Sequence, residues 1–177
     1  MVGSVTPPEP ESQDQSPPAA PAGERITRFD QSDVRSILSE VGVPPWNVHL
    51  ADTGYACPSR DWLLGPFWRY YNGHMQRRGI VYGSQWDCDD FARDFANEAS
   101  LAHKLRARRN PGTLPEGIAV FEHWYIDARI GPHAQILCLI GDGDGEATPL
   151  CIEPQPASHG PVRRLSRAEW ESTFFVR

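Results

Sequence analysis

The chain has little that would tie it to a membrane or a nucleic acid. No apolar run is long enough to span a bilayer, and the first residues hold no apolar signal core, so nothing in these 177 residues directs export. Positive charge is scarce: 17 Lys and Arg stand against 23 Asp and Glu, a formal net charge of −6. That balance disfavours nucleic acid or an anionic membrane surface as a charge-driven partner. Cysteine is sparse too. Cys57, Cys88, Cys138 and Cys151 form no C-x-x-C pair, which argues against structural zinc. A chain of this length does not need disulfides to fold, so the four read as thiols. No internal repeat is visible.

What is present suffices for one domain. The chain is 40% hydrophobic, and six tryptophans supply much of the apolar area a small core needs. Residues 1–24 are rich in Pro, Ser, Ala and Gln and nearly devoid of large apolar side chains. Such a segment cannot bury enough surface to offset its ordering entropy, so it reads as a disordered arm before a folded domain at 25–177.

Helical signals come first. Ser32 is a candidate N-cap, with Val34, Ile37, Leu38 and Val41 forming one stripe that Gly42 and Pro44-Pro45 stop. Residues 46–58 read as irregular. A second helix is expected from about Asp61 to Arg78, bent at Gly65-Pro66, its aromatic residues serving the core. A third begins at or just after Cys88, buries Ala92, Phe95, Ala96 and Ala99, and ends before Asn110-Pro111-Gly112. The second half then turns to strands at 117–126, 133–140 and 148–153, the last two joined by a loop at Gly141–Gly145. Ser166 is placed to cap a short helix through Trp170, and Thr173–Val176 supplies a final strand. Helices followed by an antiparallel sheet make an α+β domain.

The chemistry concentrates at Gln85-Trp-Asp-Cys-Asp-Asp-Phe-Ala92. A cysteine at a helix N-terminus meets unpaired backbone N–H groups and the positive end of the dipole, which favour the nucleophilic thiolate. A small buried residue is the competing reading of such a cysteine. A nucleophile needs a base, and the base an orienter. His133 opens one expected strand and Glu153 ends its neighbour. If the two sit opposite each other, paired positions sum to 286, the loop centres on Gly143, and both side chains share a sheet face; an odd sum would put them on opposite faces. His123, inside a strand, is the rival to His133. His49, His74 and His159 read as surface residues, and His103 as a helix-end residue stabilised by the dipole.

Asp87, Asp89 and Asp90 pose a problem, because negative charges beside a cysteine oppose its thiolate. They are either ordinary helix-start carboxylates or ligands of a divalent cation that neutralises them. Hard oxygen donors would suit calcium. Asp142, Asp144 and Glu146 lack the full ligand pattern of a calcium loop and read as turn residues.

Three strings, Asp87-Cys-Asp-Asp-Phe-Ala92, Pro132-His-Ala134 and Ile152-Glu-Pro-Gln155, together resemble the C-terminal domain of the Marasmius oreades-type fungal agglutinins and related bacterial and phage domains, over roughly residues 80–156. The resemblance implies a papain-like fold and a calcium-dependent cysteine peptidase. By position it implies Cys88 as nucleophile, His133 as base, Glu153 as orienter, and Asp89 and Asp90, with Asp87 beside them, at calcium. A homodimer and a protein or peptide substrate are implied as well. In papain-like sites a glutamine upstream of the cysteine helps form the oxyanion hole; Gln85 is the candidate, at a shorter spacing than in papain. The sequence departs from the family in two ways. It has no room for the sugar-binding trefoil, so no lectin function follows. Its histidine string, Pro132-His-Ala-Gln-Ile136, differs from the family's Gly-His-Ala-x-Asn. Two other readings stand beside the peptidase: a transglutaminase-like or amidase acyl transfer on the same scaffold, and a non-catalytic calcium-binding or interaction domain.

Overall fold

The computed structural model describes residues 16–19, 27–83, 85–109, 111–112, 114–141, 145–155 and 161–177. Its architecture is α+β. In chain order come β1 (Arg28–Asp30), α1 (Gln31–Val41), β2 (Gly54–Ala56), α2 (Arg60–Trp62), a π-helical turn (Leu63–Phe67), α3 (Trp68–Arg77) and α4 (Cys88–Arg109). Then follow β3 (Gly117–Ile118), β4 (Val120–Asp127), β5 (Gly131–Gly141), β6 (Ala147–Ile152), β7 (Val162–Arg163), α5 (Arg167–Glu171) and β8 (Phe175–Val176). A five-stranded sheet runs β7-β6-β5-β4-β8, and a small one runs β1-β2-β3.

Local chemistry explains the boundaries. Asp30, not Ser32, caps α1: its carboxylate accepts from the Ser32 and Asp33 N–H groups, and Asp33 answers the Asp30 N–H to complete a capping box. Ser32 lost that role because its hydroxyl donates to the same Asp30 oxygen, at 2.8 Å. Gly42 ends the helix at φ 112°, a conformation only glycine adopts freely. Pro66 has no N–H to give the helical ladder, and the chain widens there into the π turn between α2 and α3. The segment 46–58 is more ordered than expected, because β2 finds partners on both sides: antiparallel β1 and parallel β3.

The large sheet carries a core on each face. From β5, the even residues Ala134, Ile136, Cys138 and Ile140 join Phe67, Tyr71, Phe91 and Phe95 of the helices. The odd residues Leu137 and Leu139 join Val34 and Leu38 of α1, with Phe121 and Cys151. Cys138 and Cys151 thus lie on opposite faces and cannot bridge; all four cysteines are free thiols. The aromatic residues of the second helical region are core, as their pattern indicated: Trp62, Phe67 and Tyr71 are buried.

The arm departs from the sequence reading at one place. Pro17 is buried, and the Trp62 indole N–H donates to the Pro18 carbonyl at 3.2 Å. Two consecutive prolines have little backbone freedom to lose, so this stretch can dock where a flexible polar tail would not. The rest of the arm lies outside the described residues, as do His159, Asp142 and Asp144. No helix among the described residues is long and apolar enough to cross a membrane.

Candidate active site

Helix α4 lies across the even face of the sheet. Its C-terminal half meets Ile118 through Ala102 and His103, while Arg93, near its start, lies beside Trp124. This antiparallel run along β4 carries Cys88 to the end of the sheet where β5 begins, and His133 is the third residue of β5.

The β5–β6 register differs from the expected one. Leu137 pairs with Cys151 and Ile136 with Ile152, so paired positions sum to 288 rather than 286. The loop between Gly141 and Ala147 is longer than a turn centred on Gly143 would be. A shift of two preserves parity, and Glu153 follows the last paired residue of β6 on the same face as His133, one diagonal step away. Glu153 Oε2 lies 2.7 Å from His133 Nε2, and both side chains are buried. With Nε2 committed to Glu153, Nδ1 is the ring nitrogen left to exchange a proton. Cys88, half-buried at the start of α4, also acts electrostatically on this imidazole. Burial opposes the His133 charge, but hydrogen bonds and attraction to Cys88 and Glu153 outweigh it and push the imidazole up to about 9.

The carboxylate cluster also assembles. Asp87, Asp89 and Asp90 bring oxygens within 4.8 Å of one another. Arg93 partly neutralises them, with Nη2 2.9 Å from Asp89 and Nη1 3.5 Å from Asp90. The Asp89 carboxyl is pushed up by its hydrogen bond with Asp87, with burial and the Asp87 charge adding to the effect, whereas Asp87 is held down by the same hydrogen bond. All three offer hard carboxylate oxygens, the donor type that calcium takes.

Gln85 stands in the exposed turn Gly83–Trp86, closed by Gly83 N–H to Trp86 O at 2.8 Å. No described hydrogen bond links it to Cys88, His133 or Glu153. The helical ladder of α4 starts with Phe91 N–H on Asp87 O at 3.2 Å, so the N–H groups of Cys88, Asp89 and Asp90 precede it. His123 is not a base. It is fully buried, hydrogen-bonds Gln135 and Thr173, and stacks between Tyr125 and Trp170. Burial, with some repulsion from His133, drives its imidazole down to about 3 and keeps it neutral. His103 does more than meet a helix dipole: its ring bonds the Pro115 carbonyl at 2.8 Å and ties α4 to the following loop.

Sequence reasoning missed a charged group behind Glu153. Arg163 of β7 places Nη2 at 2.5 Å from Asp127 Oδ2 and Nη1 at 3.8 Å from Glu153 Oε2. Asp127 ends β4 and accepts from the N–H groups of Arg129 and Ile130. The Asp-Ala-Arg-Ile-Gly131 string, an aspartate opening a turn after a strand, was the available signal. Nothing local marks Arg163.

Two solved structures share the fold. One is a PSL1a–E64 complex; the other is a lectin of Polyporus squamosus bound to the human-type influenza-binding epitope Neu5Aca2-6Galb1-4GlcNAc. Each aligns at a TM-score of 0.59 and 17% identity, over 86% of this chain and 50% of the other. The chain thus spans about half the length of these relatives in fold, and at this identity the likeness speaks for the fold alone. No family model and no curated protein matches the sequence.

Proposed function

We propose that the protein is a papain-like cysteine peptidase that uses Cys88, His133 and Glu153, with calcium at the Asp87, Asp89 and Asp90 cluster. One observation carries the reading: a single buried imidazole bonds Glu153 at 2.7 Å and is close enough to Cys88 for the two to act on each other electrostatically. A nucleophile, a base and an orienter are thereby held on three different elements, which core packing alone does not require.

In this mechanism Cys88 Sγ attacks the scissile carbonyl carbon while its proton resides on His133. The tetrahedral oxyanion is met by N–H groups at the start of α4, with Gln85 as the side-chain donor if its turn moves inward. The imidazolium then protonates the leaving amine, the C–N bond breaks and a thioester forms. Water, deprotonated by His133, attacks the thioester and releases the acid and the thiol. Glu153 fixes the ring plane through its hydrogen bond. Bound calcium would hold the three aspartates without mutual repulsion, so that their charge does not fall on the thiol.

The Marasmius-type resemblance and the folds of the two similar structures support this reading. E64 itself, a thiol-alkylating epoxide, supplies a probe. The glycan bound by the Polyporus squamosus lectin is left with that protein, because the match covers half of it.

The test is cleavage of an unfolded general protein substrate in calcium, with Cys88→Ala as control. Wild type is expected to cleave and to be modified stoichiometrically by E64 at Cys88, and the variant to do neither. Equal activity of the two would overturn the enzyme reading. An added primary amine that captures the acyl group as readily as water would move the reading to acyl transfer.

A further inference from the structure

Behind Glu153 the charges alternate. Asp127 is 1% exposed at its side chain and fully used: Oδ1 accepts from two backbone N–H groups, and Oδ2 from Arg163 and from the Tyr125 hydroxyl at 3.3 Å. Arg163 is 19% exposed, lies with its guanidinium carbon 5.9 Å from the centre of the Tyr125 ring, and turns its second nitrogen to Glu153. The Glu153 oxygen that meets Arg163 is the one that bonds His133. The row is thus carboxylate, guanidinium, carboxylate, imidazole, thiol, drawn from β4, β7, the end of β6, β5 and α4.

We infer that Arg163, anchored by Asp127, is a positioning residue that keeps the Glu153 carboxylate aimed at His133. The inference rests on the peptidase reading above. Its physical basis is desolvation. Glu153 is 9% exposed, and a buried carboxylate is held best where a cation stands near it. His133 cannot serve permanently, because it must lose its charge when it hands the proton to the leaving amine. At that moment the carboxylate needs another positive partner, and a guanidinium keeps its charge throughout. Arg163 needs its own fixed anion, or it would swing to solvent. Asp127 supplies one that stays charged, because Arg163 and the two N–H groups overcome burial and hold its carboxyl far below the ordinary range.

The backbone is arranged to the same end. Cys151 pairs with Arg163, and the Glu153 N–H donates to Pro161 O at 2.7 Å. The short strand β7 therefore fixes both the backbone of Glu153 and the side chain facing it. The other charged or titratable groups facing this row are His123 and Tyr125 on β4, Arg129, whose Nε lies 3.9 Å from Asp127 Oδ1, Cys151 on β6, and Glu169 on α5, whose charge acts on Tyr125 and Asp127.

The experiment compares wild type, Arg163→Ala, Arg163→Lys, Asp127→Asn and Cys88→Ala in steady-state cleavage across pH, with melting temperatures and an NMR titration of His133. Arg163→Ala is expected to lower kcat roughly 10- to 100-fold with KM little changed. The His133 titration should depart from its wild-type value, and millimolar guanidinium should restore part of kcat. Arg163→Lys keeps the charge and should lose less; Asp127→Asn should fall between them. Should Arg163→Ala fail to fold, the lysine and asparagine variants carry the same comparison. Unchanged kcat and unchanged His133 titration in folded variants, while Cys88→Ala is inactive, would overturn the inference alone. So would a loss of kcat that guanidinium does not touch and that tracks the melting temperature. Cys88→Ala as active as wild type would instead remove the peptidase reading; the His133 titration would then still report whether Arg163 controls the Glu153–His133 pair.

Discussion

Two groups of carboxylates flank the candidate thiol, and they are compensated in opposite ways. On the sheet side, Asp127 and Glu153 are buried, and each has a designated cation: Arg163 for the first, His133 and Arg163 for the second. On the helix side, Asp87, Asp89 and Asp90 are exposed or half-buried and share one guanidinium, that of Arg93. The first group is complete as folded. The second sets three carboxyls against one cation, and the Asp87 contact pushes the Asp89 carboxyl above its ordinary range. Burial accounts for the contrast: an uncompensated charge inside the sheet would cost several kcal/mol, whereas at the surface water screens it. The sheet side therefore had to be self-sufficient, and the helix side is left open to an external cation.

The sharpest way to break the comparison is to disable the buried side. Glu153→Gln keeps the shape of the side chain but removes the charge that holds the His133 proton and ring plane. In a nucleophile–base–orienter site such a change costs roughly 10²- to 10⁴-fold in kcat. Single-turnover acylation would measure it; a loss under threefold would mean that Glu153 merely packs.

A second prediction uses pH and stability. The His133 imidazole is pushed up to about 9 in the fold from an ordinary value of 6.5. A folded-state value above the unfolded one means that protonation favours folding. The contribution is fully present below about 6.5 and disappears as pH rises through about 9. Its full size is on the order of 3 kcal/mol, since the group is buried. Denaturant midpoints between pH 6 and 10 should fall for wild type and stay flatter for His133→Gln. Equal slopes would show that the pair is not ionised as described.

How much of this was legible in the sequence differs between the same two sides. The helix side is local: the start of α4, the three aspartates and Cys88 lie within four residues, and one helical signal orders them all. The sheet side is not. Its triad partners were found because strand parity survives a register error of two, so Glu153 could be assigned to the face of His133 without knowing the loop length. Arg163 could not be found that way. Its role depends on β7 pairing back onto β6 after a connection whose length sets no parity, and on Asp127 four residues before β5 begins. The fold class followed from helices preceding strands. The small β1-β2-β3 sheet did not, because strands of two or three residues leave no periodic pattern, and Gly117 marks a close approach that only the folded backbone reveals: a Cβ there would lie 2.5 Å from Asp52.

The smallest expected effect tests the open side. If the Asp87, Asp89 and Asp90 cluster takes calcium, ion binding must stabilise the fold by RT ln(1 + [L]/Kd), on the order of 1.4 kcal/mol at ten times the dissociation constant. For a chain of 177 residues that is a rise of a few degrees in melting temperature. Magnesium should produce less, because it demands near-ideal octahedral geometry and dehydrates reluctantly. Asp89→Asn should abolish the rise. It should also stabilise the calcium-free protein slightly, because it removes the carboxyl whose ionisation the fold opposes. Arg93→Gln should lower calcium-free stability and strengthen calcium binding, since a cation competing for the same oxygens has gone. A melting temperature that ignores millimolar calcium in wild type and in Arg93→Gln alike would leave the aspartates as helix-start residues served by Arg93. The two carboxylate groups would then differ only in depth, not in what completes them.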